Sequence, residues 1–218
     1  EKTVQVLFQD KSQTEQRRKG LLAKVEFWLK TFGFGHEPEI EELGGDNYRL
    51  LIKDANTGIA VNVSDVGFGV SQVLPVIVQG FAASDNATLI IEQPEIHLHP
   101  KAQSELGDLM IDIAGIKAGE KSAQPKTLLI ETHSEHLIRR LQLRIAEKQI
   151  SEQDVAIYFV QATAEGSQFG KVTLDKYGRF ENWPEGFFSE DAGEMFHLQD
   201  AIFERLKADK ENKPVESH

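Results

Sequence analysis

The sequence predicts an α/β fold, a mainly parallel sheet with flanking helices, followed by a small α+β appendage at the C-terminal end. Three observations predict it. Short apolar runs at 88–92 and 127–132 alternate with helical stretches at 101–114 and 136–147, the βαβ order of a parallel sheet. Two β-rich runs, 48–53 and 59–63, flank Asp54-Ala55-Asn56-Thr57-Gly58, a turn composition that joins them as a hairpin. Beyond residue 160 the style changes, and 169–175 alternates as an exposed antiparallel strand does.

Taken in order, residues 11–32 place Leu21, Leu22, Val25, Trp28, Leu29 and Phe32 at helical spacing, and Gly33 and Gly35 stop that helix. The hairpin follows. A Gly-rich turn at 66–69 leads into an apolar helix that reaches Ala83. Residues 88–92 and 127–132 read as short buried strands, with a polar loop at 115–125 between them and the 101–114 helix before it. After the 136–147 helix, 155–160 reads as a third strand. An aromatic cluster of Phe180, Trp183, Phe187 and Phe188 precedes a last helix near 190–208, packed by burial of those rings. The expected divisions are 1–63, a helix and hairpin segment, 64–165, the core, and 166–218, a small C-terminal domain with a polar tail.

Composition narrows the function. The 218 residues are 40% hydrophobic and 27% charged, ordinary for a globular protein. No run of about 18 uncharged apolar residues occurs, so no membrane span is expected. The first residue is Glu1 and no charged-then-apolar leader follows, which predicts a segment of something longer without a signal peptide. Cysteine is absent, which removes disulfide and thiolate chemistry and fits a cytoplasmic location. A net charge of -11 argues against a general polyanion-binding surface; Arg17-Arg18-Lys19 reads as a solvated helix face.

Three segments carry chemistry. In 88–100, TLIIEQPEIHLHP, an apolar strand delivers Glu92 to its C-terminal end, where open α/β sheets bind ligands and a carboxylate can hold Mg²⁺. In 127–141, TLLIETHSEHLIRRL, His133 stands just past a second strand, with Thr132 and Ser134 placed to cap the next helix. In 64–82, Gly67 and Gly69 permit close backbone approach ahead of a helix whose N-terminus suits an anion. Each alone has a bland structural reading. Their order along the chain gives them weight.

That order resembles ABC-type ATPases, especially the prokaryotic SMC-like group that includes the overcoming-lysogenization-defect proteins, over roughly residues 60–200. The resemblance implies the C-terminal part of a P-loop NTPase, with Glu92 as the Walker B acid beside Mg²⁺, residues 97–100 including His99 as the D-loop, and His133 as the switch histidine that contacts the γ-phosphate of ATP. Gly67, Gly69, Ser71 and Gln72 fall in the signature stretch, although Gly67-Phe68-Gly69 replaces the usual Ser-Gly-Gly, leaving Ser71 or Ser64 to supply the hydroxyl. Gln93 stands where the catalytic Glu is usual. A neutral amide orients a water without taking its proton, so Glu95 substitutes, or hydrolysis is slow, or Gln93 is an engineered exchange. The end of the chain, 178–191, resembles a small domain of unknown function that closes many of these ATPases.

No Gly-rich turn closes on Lys and Ser/Thr; Gly44-Gly45-Asp46 lacks the lysine. The resemblance therefore implies that an N-terminal ATPase lobe completes the site, that this chain alone is inactive, and that two copies dimerise head to head around ATP to gate a DNA or effector partner in phage defence or DNA maintenance. Two rival readings stand beside it. One is a non-hydrolysing interaction module derived from such an ATPase. The other is a metal-dependent hydrolase in which His97, His99, Glu92 and Glu95 hold Zn²⁺ or Mn²⁺.

Overall fold

The computed structural model describes residues 2–13, 20–45, 47–117, 120–121, 124–164 and 166–182. They fall into two compact units that divide after Val155, with 176–178 returning to the first. The first unit contains α1 (Lys2–Lys11), α2 (Leu21–Phe32), β1 (Gly35–Gly44), β2 (Asn47–Asp54), β3 (Ala60–Asn62), α3 (Phe68–Ala82), β4 (Thr88–Glu92), α4 (Pro100–Ala114), β5 (Ile116–Lys117), β6 (Glu120–Lys121), β7 (Thr127–Glu131) and α5 (Glu135–Ala146). The second contains β8 (Ile157–Thr163) and β9 (Gly166–Val172). Among the described residues no helix is long and apolar enough to cross a membrane.

The helix expected over 11–32 begins at Leu21, entered through Gly20 in the left-handed conformation. It ends at Gly33, also left-handed, whose N–H donates to the carbonyls of Leu29 and Lys30, a C-terminal cap suited to glycine. The hairpin forms as expected: β2 pairs antiparallel with β3. In its turn, Asp54 accepts hydrogen bonds from the Thr57 N–H and hydroxyl, both at 2.8 Å, and from the Asn56 N–H at 3.1 Å. These donors, the Thr57 N–H foremost, hold the Asp54 carboxyl below its ordinary range.

An edge strand absent from the sequence expectation, β1, pairs antiparallel with β2. Its sequence is acidic and contains Pro38. The register slips between His36 and Glu39, around Pro38, and edge strands admit proline at such irregularities because it has no N–H to donate. Ion pairs Arg49–Glu41 and Lys53–Glu37 tie the two strands. The expected polar loop at 115–125 contains the short antiparallel pair β5–β6.

One apolar core joins α1, α2 and the three-stranded sheet to α3, α4 and α5; Leu7, Val25, Leu29, Ile52, Val73, Ile77, Leu106, Leu109 and Ile113 are fully buried within it. Polar contacts fix the helices sideways. Asp112 on α4 accepts from Trp28 Nε1 at 3.1 Å and pairs with Lys24. Asp108 on α4 accepts from Arg140 at 2.9 Å and from Arg144 at 2.6 and 2.7 Å, and these bonds to Asp108 push the Arg144 guanidinium further up. Gly107 lets α5 approach, since a Cβ there would stand 2.8 Å from Arg140 Cγ.

β4 and β7 form the described parallel pair, in register from Thr88–Thr127 to Glu92–Glu131. The expectation that both strands are buried is corrected. Each alternates: Leu89, Ile91, Leu128 and Ile130 face the core, whereas Ile90 is 70% and Leu129 61% exposed. Among the described residues, helices cover one face only. The third strand is also corrected in place and partner. Among the described residues β8 joins no parallel sheet but pairs antiparallel with β9 across a short turn, because closing a few residues costs far less chain entropy than a crossover. Phe180 bridges Leu174 in the same unit; Trp183, Phe187, Phe188 and the expected helix near 190–208 lie outside the described residues.

Gly80 on α3 packs directly on Ile113 of α4, where a Cβ would lie 2.7 Å from Ile113 Cγ1. Gly80→Val should therefore lower unfolding stability by about 2 kcal/mol through overpacking, read as a lower urea midpoint at unchanged slope.

Candidate strand-end site

The site begins with register. Because β4 and β7 run parallel and in step, Glu92 and Glu131 end level with each other, and both are exposed. Among the described residues no cation pairs with either one. The pairing extends one residue further, as the Gln93 N–H donates to the Glu131 carbonyl at 2.8 Å, and Gln93 Nε2 reaches Glu131 Oε1 at 3.5 Å. Gln93 has φ 45°, a left-handed conformation that turns the chain out of the strand direction.

The loop then folds back on itself. Ile96 N–H donates to the Gln93 carbonyl at 3.3 Å and Leu98 N–H to the Glu95 carbonyl at 3.0 Å. His97 is again left-handed, with φ 64°. The loop ends at His99, which enters α4 as its N-cap and accepts from the Lys101 N–H through Nδ1 at 3.4 Å. Pro100, with no N–H to satisfy, occupies the first helical position.

Glu95 lies within this loop and is only 7% exposed. Its Oε1 accepts the His133 N–H at 2.6 Å, while Oε2 is buried with no hydrogen-bond partner among the described residues. His133 itself is exposed. The next residue is held as well. Ser134 donates through Oγ to Gln103 Oε1 at 2.8 Å, and Gln103 Nε2 donates to the Leu98 carbonyl at 3.0 Å. Ser134 also caps α5, accepting from the Leu137 N–H at 3.1 Å, and Thr132 Oγ1 accepts from the Ser134 N–H at 3.0 Å. Ser134 thus caps α5 as expected, whereas Thr132 caps no helix N–H and instead holds the Ser134 N–H.

The Gly-rich turn meets the same loop. Gly67 has φ 122° at the start of α3 and carries no side-chain cap. A Cβ on Gly69 would lie 3.1 Å from Leu98 Cδ2 and 3.3 Å from the His97 carbonyl oxygen, so glycine there permits the contact. Phe68, 79% exposed, lies tilted over His97 with ring centres 5.5 Å apart. Ser71 is exposed and Gln72 half-buried near the start of α3; Ser64 is exposed, its N–H bonded to the Asn62 side chain at 3.2 Å.

The structure therefore brings Glu92, Gln93, Glu95 and His133 together at one sheet edge, and Gly67, Gly69 and residues 97–98 together beside one another. It does not gather His97, His99, Glu92 and Glu95: these make separate contacts, and among the described residues no group of three or more His, Cys, Asp or Glu is placed to hold a metal ion. Three participants escaped the sequence reading. Glu131 was visible as the acid that ends the second apolar strand as Glu92 ends the first. Gln103 and Phe68 carried no signal, one being a polar residue on an amphipathic helix and the other an aromatic between glycines.

The parallel strands with helices on one face make an α/β fold of the AAA ATPase class. A family model described as AAA ATPase domain matches residues 7–138, more than half of the chain, and the chain belongs to that family. A second model, described as protein of unknown function (DUF3696), matches residues 150–198, in line with the resemblance at the C-terminal end. Two solved structures share the fold. One, from "Structural biochemistry of ATP-driven dimerization and DNA stimulated activation of SMC ATPases", superposes with a TM-score of 0.50 at 12% identity, over 72% of this chain and 85% of that one. The other, an SMC head bound to the C-winged helix domain of ScpA, gives 0.50 at 9% identity, over 74% of this chain and 44% of that one. No curated protein sequence matches the chain.

Ser134→Ala removes the cap of α5 and the bond to Gln103 together. It should lower stability by about 1–2 kcal/mol, measured by urea unfolding, with the far-UV spectrum of the folded state unchanged.

Proposed function

We propose that this chain carries the Walker B, D-loop, switch and signature elements of an ABC-type, SMC-like ATPase head that closes as a dimer around ATP and Mg²⁺. The observation that carries the reading is the level ending of β4 and β7, which sets Glu92 and Gln93 beside Glu131 and the His133 loop. Mg²⁺ takes one or two carboxylates while keeping waters and phosphate oxygens, and two exposed acids at a strand end, with no cation paired to either among the described residues, fit it. Glu92 would hold the ion, with Glu131 adjacent. Bound there, the ion supplies charge neutralisation for phosphoryl transfer.

The chain's own residues divide the remaining work. Gln93 orients the attacking water through its amide, and exposed His133 donates a hydrogen bond to the terminal phosphate. Gly67 and Gly69 lie at the start of α3, whose first N–H groups have no intrahelical partner and face an anion, and Ser71 and Gln72 follow with polar side chains. The exposed pair Phe68–His97, with His99 at the end of the same loop, forms the surface that meets a second copy. The phosphate cradle comes from an ATPase lobe outside these residues. The uncovered face of Ile90 and Leu129 supports this, because parallel sheets are covered on both faces. A DNA or effector partner, in phage defence or DNA maintenance, is proposed on the likeness to SMC heads.

A second reading, a non-hydrolysing dimerisation module, draws on Gln93, whose amide accepts no proton. Both are tested by ATP turnover in the full protein. Native protein should hydrolyse ATP slowly, Gln93→Glu should raise kcat, and His133→Ala should lower it by about 100-fold. ATP binding without turnover in the native and Gln93→Glu proteins would favour the module, and failure of both to bind ATP would contradict the ATPase reading.

A further inference from the structure

We propose that Glu95 and Gln103 are positioning residues that latch the switch loop to the 95–99 loop, so that His133 takes its place only while the 95–99 loop holds its observed turn. The latch has two independent links, made of three hydrogen bonds. Glu95 Oε1 accepts the His133 N–H at 2.6 Å, and Gln103 joins the Leu98 carbonyl to the Ser134 hydroxyl. The Glu95 bond runs directly from one loop to the other, Gln103 on α4 bridges them through its two bonds, and together the links hold adjacent residues of the 132–134 segment.

Burial separates this role from proton abstraction. A general base must reach water at the reacting centre, yet Glu95 is 7% exposed and spends one oxygen on a backbone N–H. Its second oxygen is buried without a partner among the described residues. A carboxylate kept in so costly a place, against a backbone donor, is a structural acceptor. The loop it belongs to is held in a conformation non-glycine residues seldom adopt, at Gln93 and His97, and such segments persist only when their surroundings hold them. A second copy docking on His97 and Phe68 would act on that loop, and the latch would carry the change to His133. This consequence rests on the ATPase reading; the latch itself does not.

The test uses the chain labelled with ¹⁵N-histidine, the His133 amide being assigned by its loss in His133→Ala. In Glu95→Ala the His133 amide should move upfield and exchange with solvent at least about 10-fold faster, as a local opening predicts. Glu95→Gln, which keeps an acceptor, should stay near the native position, and Gln103→Leu should speed exchange without moving the Glu95 bond. An unmoved His133 amide in Glu95→Ala overturns the latch. So does equal loss of ATP turnover in Glu95→Gln and Glu95→Ala of the full protein, the result expected of a general base. Should no version turn over ATP, the ATPase reading fails while the amide shift still decides the latch.

Discussion

Everything at the strand-end site depends on the in-register parallel pairing of β4 with β7. Parallel neighbours point their C-terminal ends the same way, so two sequence-distant loops open at one edge. Register does the rest: a shift of one residue would turn Glu92 or Glu131 into the core and bring an apolar side chain to the edge. The Gln93 N–H bond to the Glu131 carbonyl carries the pairing past the last strand residue, and the left-handed Gln93 then ends it. The site is thus a consequence of how two five-residue strands align.

The helices make that alignment hold. α4 packs on β7 and on α5, and the mutual position of the two helices is set by Asp108 between Arg140 and Arg144 and by the absence of a side chain at Gly107. α4 begins where the 95–99 loop ends and α5 where the His133 loop ends, so the helix contact fixes both loops at their far sides. Gln103, from the start of α4, closes the same arrangement from below. The core that anchors α4 reaches through Gly80 and Ile113 to α3 and through Asp112 to α2, which places the Gly67–Gly69 turn against Leu98.

Much of this was legible in the sequence because the signals were local. Apolar runs of five residues, glycine at helix ends, the Asp54–Gly58 turn and the Ser134 cap all act within a few residues, and each lies where expected. Solvent exposure of β4 and β7 was not legible. A continuous apolar run is the pattern of a strand covered on both faces, and here Ile90 and Leu129 keep that pattern with one face bare. β1 was hidden by its charge and by Pro38, since an edge strand needs little apolar content when ion pairs to Lys53 and Arg49 secure it. The partner of β8 was misread because a strand's sequence does not name its neighbour. At the site, residue types at strand ends were readable, but the bond from Glu95 to His133 spans 38 positions and is a product of tertiary packing alone.

The central claim is that the β4 and β7 ends with the Gly67–Gly69 turn form one nucleotide-responsive edge. Hydrogen–deuterium exchange of the full protein, with and without a non-hydrolysable ATP analogue and Mg²⁺, tests it most directly. The account predicts that segments 64–72, 89–99 and 127–134 gain protection together, with α1 and the three-stranded sheet unchanged. Unchanged exchange in those three segments when the analogue is bound, or protection confined to one of them, would contradict it.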